Sequence, residues 1–278
     1  MTSCTVRRPA GPPILLFDSP HSGRHYPDDF GAKATRLQLR RGEDAYVDEL
    51  LAGVVGHGVC LLAATLPRCY IDLNRAETDI DAALLAEPWP APLLPTEKTR
   101  LGLGLIRRYV VPGVEIYGRR LAVREVQDRI ALVYRPYHAQ LDRLLEEIRL
   151  DRGVVWHVNW HSMKSVGNAM TPDGEGARRP DFVVSDLDGR SAEPPLTTLI
   201  VETLTGMGYT VSVNDPYKGG TIVQRVGDPA RHVHSVQIEI NRALYLDERA
   251  VEQTAGAWPL RRRLDELARC LASAAPRR

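Results

Sequence analysis

Two histidines and one glutamate occupy surroundings that suit hydrolytic chemistry. They lie in three polar clusters: Ser19-Pro20-His21-Ser22-Gly23, Asn159-Trp160-His161-Ser162-Met163 and Gln237-Ile238-Glu239-Ile240-Asn241-Arg242. Each cluster follows or ends an apolar run. Two histidines meeting from different strands can hold a metal ion when one carboxylate joins them, and a catalytic ion of that kind keeps a position open for water. Water held there ionises near neutrality. The competing reading of each histidine is a loop or helix-capping residue. No H-x-x-E or H-E-x-x-H spacing decides between the two.

Glu239 carries a sharper signal. Val236, Ile238 and Ile240 share one face of a strand, which leaves Gln237, Glu239 and Asn241 on the other. A carboxylate inside an apolar strand is costly unless it has a partner or a task. The task would be general base, with a pKa raised by burial; the partner would be an arginine. Two further segments could meet a ligand. Tyr70-Ile71-Asp72-Leu73-Asn74-Arg75 ends in an amide and a guanidinium, and arginine suits bidentate contact with a carboxylate. Asn214-Asp215-Pro216-Tyr217-Lys218-Gly219-Gly220 ends in glycines that allow close backbone approach. It lacks the glycine spacing of a phosphate loop.

The elements that must position these residues alternate between strand and helix. Strands are expected at Ile14 to Asp18, Gly58 to Ala64, Tyr70 to Leu73, Val154 to Trp160, Phe182 to Ser185, Tyr209 to Val213 and Ser235 to Ile240. In the fourth, the period of two separates Val154, Trp156, Val158 and Trp160 from His157, Asn159 and His161. Helices are expected from Val47 to Val55, from Leu121 to Leu150 with a break at Pro136, from Leu196 to Thr205 and from Glu248 to Ala274. Pro88, Pro90, Pro92 and Pro95 make the stretch Ala86 to Pro95 a surface loop or lid. This alternation predicts an α/β fold, a three-layer sandwich around a mostly parallel or mixed sheet, in one catalytic domain over residues 1–278. Ligands in such sheets bind at the carboxyl ends of the strands, where the histidine clusters lie.

Composition sets outer bounds. Lys and Arg number 36 against 35 Asp and Glu, too balanced for a nucleic-acid scaffold. No stretch is apolar for long enough to span a bilayer, and residues 1–13 lack the apolar core of a signal peptide. Cys4, Cys60, Cys69 and Cys270 are scattered, without zinc-ribbon spacing, and read as reduced thiols of a cytoplasmic protein.

Taken in order, the stretches SPHSGRHYP (19–27), EDAYVDEL (43–50), RCYIDLNR (68–75), HSM (161–163), NDPYKGG (214–220) and QIEINRALY (237–245) resemble the N-formylglutamate amidohydrolase family. The resemblance spans residues 14 to about 248. It implies a fold similar to zinc carboxypeptidases and aspartoacylases, and hydrolysis of N-formyl-L-glutamate to formate and glutamate, the last step of one route of histidine breakdown. His21 and His161 would be metal ligands, Glu239 the base, and Asn74 with Arg75 the grip on a substrate carboxylate. The carboxylate ligand would be Asp44, with Asp48 one helical turn later as the alternative. Arg242, helped by Tyr217 or Lys218, would meet a second carboxylate, or else neutralise a buried acid. The ion would be divalent, zinc by default for mixed nitrogen and oxygen donors, with manganese or cobalt as substitutes. Two departures stand out: Arg24 replaces the glutamate that carboxypeptidases carry three residues after the first histidine, and Asn159 replaces a usual aspartate. The alternatives are an amidohydrolase for another N-acyl amino acid and a non-catalytic carboxylate-binding protein.

Overall fold

The computed structural model describes residues 2–277. Seven strands form one sheet: β1 (Cys4–Arg7), β2 (Leu15–Ser19), β3 (Val59–Ala64), β4 (Val155–Met163), β5 (Phe182–Ser185), β6 (Val211–Val213) and β7 (Val233–Asn241). Their spatial order is β1-β3-β2-β4-β7-β5-β6. The pairs β3–β2, β2–β4, β4–β7 and β5–β6 are parallel, while β1 and β5 run antiparallel to β3 and β7. The chain leaves β2 for β3 on one side and returns to β4 on the other. This strand-order reversal opens a crevice at the carboxyl ends of β2 and β4.

Among the described residues, eight α-helices accompany the sheet: α1 (Arg36–Arg40), α2 (Val47–Leu50), α3 (Glu97–Arg100), α4 (Val123–Arg129), α5 (Arg135–Arg152), α6 (Pro194–Gly206), α7 (Thr221–Val226) and α8 (Ala257–Ala274). On one face of the sheet, Leu15, Phe17, Val158, Trp160, Ile238 and Ile240 pack with residues of α2, α6 and α8. On the other, Leu16, Cys60, Leu62 and Val155 pack with residues of α4 and α5. The three-layer α/β architecture follows from sheet faces that are both covered. The second face changes character along the strands. Past Leu16 and Val155 the same alternation brings Asp18, His157, Asn159 and His161, all buried. One face is therefore mainly apolar, with Ser19, Ser162 and His234 at its margins, and the other turns polar towards the strand ends that carry the site.

Four expectations about elements are corrected. Tyr70 to Leu73 is not a strand. Its carbonyls turn to helix side chains instead of a sheet neighbour: Arg129 Nη1 donates to the Tyr70 carbonyl at 3.1 Å and His138 Nε2 to that of Leu73 at 3.0 Å. Helix 47–55 is α2 followed by a 3-10 segment, Ala52–His57. Between α4 and α5 lies a π-helical turn, Ile130–Tyr134, and the backbone stays helical from 123 to 152, so the expected break at Pro136 is absent. The last helix begins at Ala257, because Leu246–Asp247 and Glu252–Gln253 first pair as a two-stranded ribbon. The antiparallel edge strand β1 was not anticipated. The proline-rich stretch 86–95 contains no helix or strand. No helix among the described residues is long and apolar enough to cross a membrane.

Candidate active site

His21 follows β2, His161 lies in the last turn of the β4 ladder, and Glu239 sits beside it in β7, where the register pairs His161 with Glu239. Asp44 reaches the same place from the segment before α2, its N–H donating to the His21 carbonyl at 3.0 Å. The backbone of the His21 loop is held close to its neighbours: a side chain at Gly23 would lie 2.1 Å from the Leu66 carbonyl oxygen.

The side chains form a converging set. Asp44 Oδ2 lies 3.3 Å from His21 Nδ1 and 2.9 Å from His161 Nδ1. The remaining ring nitrogens point outward to fixed partners. His21 Nε2 meets Asp72 Oδ1 at 2.7 Å, and His161 Nε2 meets Asn159 Oδ1 at 2.8 Å. Asp72 accepts, which puts the His21 proton on Nε2 and leaves its Nδ1 lone pair facing the Asp44 carboxylate, two acceptors without a proton between them. His161 Nε2 lies between Asn159 Oδ1, which accepts, and Asn74 Nδ2, which donates, while its Nδ1 faces Asp44 Oδ2. His21 Nδ1 has no hydrogen-bond partner although it is buried. A cation would resolve that conflict. Tetrahedral bonds of about 2.0–2.2 Å hold donor atoms roughly 3.3–3.5 Å apart, close to the spacing here. The donor set therefore fits a divalent ion bound by His21, Asp44 and His161.

Electrostatics agree with this geometry. Burial opposes ionisation of Asp44, but Arg68 and the two histidines outweigh it and hold the carboxyl well below its usual range. Asp72 behaves alike: burial works against its charge, and Arg68 and His21 prevail. Arg68 bridges the two acids, 3.4 Å from Asp44 Oδ1 and 2.9 Å from Asp72 Oδ2. Glu239 differs. Burial pushes its carboxyl up, with the Asp44 charge adding to the effect against the pull of His161. Its Oε1 accepts from Gln237 Nε2 at 3.0 Å.

A cavity of about 310 Å³ opens over this cluster, the size of a small-molecule site. Asn74, Arg75, Tyr217, Lys218 and Arg242 all line it. They differ in what they have left to offer. Arg242 is occupied: Nη2 lies 3.1 Å from Asp44 Oδ1, and the guanidinium also meets Ser162 Oγ and the carbonyls of Arg41 and Glu43. Asn74 is occupied too, its Nδ2 3.1 Å from His161 Nε2 and its Oδ1 accepting from the Ile222 N–H at 2.8 Å. Tyr217 stacks beneath the Arg179 guanidinium, and burial raises its phenol pKa. Lys218 pairs with Asp188 at 3.0 Å. Arg75 is half-buried, its Nε shut off from solvent and unpartnered, and desolvation lowers its pKa. Asp48 is turned away, 3.9 Å from Arg24, and Asp44 is the carboxylate brought to the histidines.

Sequence reasoning missed Asp72, Arg68 and Gln237 as parts of the site. The signals were present: Asp72 and Arg68 stand in the same block as Asn74 and Arg75, and Gln237 shares the face of Glu239.

The chain is similar to the N-formylglutamate deformylase of Pseudomonas putida, 28% identical over 242 residues that cover 84% of this chain and 82% of that protein. It is similar to the crystal structure of the N-formylglutamate amidohydrolase from Ralstonia eutropha JMP134, at 44% identity, 99% coverage of both chains and a TM-score of 0.92. A gene product of Agrobacterium tumefaciens shares the fold, with a TM-score of 0.70 at 19% identity. A model of the N-formylglutamate amidohydrolase family matches residues 14–246, and the chain belongs to that family.

Proposed function

We propose that this protein hydrolyses N-formyl-L-glutamate to formate and L-glutamate, with a divalent ion, zinc by default, held by His21, Asp44 and His161. The observation that carries the reading is the meeting of His21 Nδ1, Asp44 Oδ2 and His161 Nδ1 in a cavity that also contains a buried glutamate and an unpaired arginine. The names of the similar proteins supply the substrate.

When bound, the ion supplies Lewis-acid polarisation of the amide carbonyl and lowers the pKa of water beside it. The chain's own residues do the remainder. Asp72 and Asn159 hold the histidine rings so that both Nδ1 atoms face the site. Glu239, with its raised pKa, takes a proton from water as the oxygen adds to the formyl carbon. It returns the proton to nitrogen as the C–N bond breaks. Burial suits that task, because a carboxylate whose pKa is raised holds a proton more readily than an ordinary one. Arg75 binds a substrate carboxylate through a guanidinium that has no protein counter-ion.

The test follows formate release from N-formyl-L-glutamate by protein stripped with a chelator, then reloaded with zinc, manganese or cobalt, alongside elemental analysis. Activity should vanish on stripping and return with about one ion per chain. The His161→Ala variant should lose most of its bound metal. No turnover of any N-formyl amino acid by metal-replete protein would overturn the reading.

A further inference from the structure

One wall of the cavity carries more positive charge than the protein itself balances. Arg75, Lys98 and Arg107 all line it. Arg107 is 7% exposed, and its Nε, like that of Arg75, is buried without a partner. Among the described residues, none of the three side chains makes an ion pair or hydrogen bond that would neutralise it. The nearby acids are already engaged. Asp72 accepts from Arg68, His21 and the Asn74 N–H. Asp79 accepts from the Thr96 N–H and the hydroxyls of Thr96 and Thr99.

Three other cations of the cavity have fixed work. Arg68 and Arg242 lie against Asp44, and Arg179 makes two 2.8 Å contacts with Asp173. Burial and mutual repulsion make the unpaired trio costly. The effect shows in the lysine: burial, then Arg75 and Arg107, bring the Lys98 amine down to about 8. Arg107 is brought down to about 10 by burial and by Arg68. Three desolvated cations on one wall are stabilised when an anion enters. Among the described residues, none of the three hydrogen-bonds or ion-pairs with His21, Asp44, His161 or Glu239, which leaves all three free for an anion other than the group being cleaved.

We infer that Lys98 and Arg107, together with Arg75, form the pocket for the substrate's side-chain carboxylate and set the preference for a dicarboxylate over its neutral amide. Lys98 and Arg107 are thereby specificity-determining residues. The inference rests on the proposed amidohydrolase reading for its substrate, while the charge cluster itself does not.

The experiment compares N-formyl-L-glutamate with N-formyl-L-glutamine, which has nearly the same shape and one carboxylate fewer. Wild-type protein, Lys98→Met, Arg107→Met and the conservative Arg107→Lys are measured in metal-replete form, with thermal melts to verify folding. Lys98→Met and Arg107→Met should each lower kcat/KM for the diacid by about tenfold or more, with little change for the amide. Arg107→Lys should recover part of the loss. Equal losses on both substrates would overturn the inference even with the amidohydrolase intact. If Arg107→Met fails to fold, Lys98→Met decides alone. Calorimetric binding of L-glutamate against L-glutamine separates the two readings. Discrimination that depends on Lys98, in a protein with no hydrolytic activity, keeps the pocket and sinks the reaction. Absence of both binding and turnover sinks both.

Discussion

Asn159 is the uncharged partner of His161, and the negative charge of this network stands one residue further on, at Asp18. Its Nδ2 donates to Asp18 Oδ1 at 2.7 Å while its Oδ1 accepts from His161. Asp18 also accepts from the Tyr137 hydroxyl and from His157 Nε2. Burial opposes its ionisation, but these bonds hold its pKa below the ordinary value. Asn159 therefore keeps a fixed orientation, which fixes the ring of His161 as an aspartate would. Glu239 lacks that saturation, and this makes it the group free to move a proton. Glu239→Gln should keep the bound metal and the melting temperature while lowering kcat by roughly 10²- to 10⁴-fold, as loss of general acid-base catalysis does. Metal analysis beside steady-state rates checks this. Near-normal turnover with full metal would make Glu239 a structural residue.

Arg75 is presented by an irregular segment that two helical elements hold in place. Tyr134, in the π-helical turn, donates its hydroxyl to the Arg75 carbonyl at 2.8 Å, and His138, one turn later, holds the Leu73 carbonyl. On its other side the segment meets the loop before α7. Gly220 N–H donates to Gln237 Oε1 at 2.8 Å, and a methyl group at Gly220 would lie 2.3 Å from Asn74 Nδ2. Contact that close forces movement of Asn74, and through it of His161. Gly220→Ala should thus reduce kcat/KM by about tenfold or more while costing about 1–3 kcal/mol of stability, the range for overpacking. Chemical denaturation and kinetics on the same preparation separate the two effects. An unchanged kcat/KM would mean that the loop is not coupled to the site.

The molecule as a whole is nearly neutral, with a formal charge of +1, yet its cavity gathers arginines and lysines over a sheet face rich in acids. Holding such groups away from water makes stability depend on pH. His138 gives the clearest case. Burial, with Arg225 nearby, brings its imidazole down to about 4. The unfolded chain takes up that proton near pH 6.5, so stability is complete above that pH and falls as the solution is acidified towards 4. The loss from this one group is about 3 kcal/mol by pH 4. Glu43 and Glu239, whose pKa values burial raises, act in the opposite direction over part of that range. Comparison with His138→Gln isolates the histidine. The variant should show a shallower decline in denaturation free energy between pH 6.5 and 4, and parallel curves would exclude His138 as the cause.

The amino-acid sequence alone determined which residue types could act and on which side of the sheet. The alternation in Val154 to Trp160 and in Ser235 to Ile240 is local, with a period of two set by strand geometry. It therefore separated His157, Asn159, His161, Gln237 and Glu239 from the apolar face without knowledge of their neighbours. The ordered motifs did the same for the family. Tertiary structure decided what distance in sequence conceals. Asp44 and Asp48 are equivalent by composition, and only the path of the chain before α2 brings one to the histidines and turns the other to Arg24. Tyr70 to Leu73 has strand-forming residues, but side chains from α4 and α5 took the hydrogen bonds that a sheet would have used. Lys98 and Arg107 carry no signal in the sequence, because no periodicity relates them to Arg75. Lys98 lies in α3 and the other two in irregular segments, yet all three line one cavity, and desolvation without a counter-ion, a property of the folded chain, is what marks them for an anion.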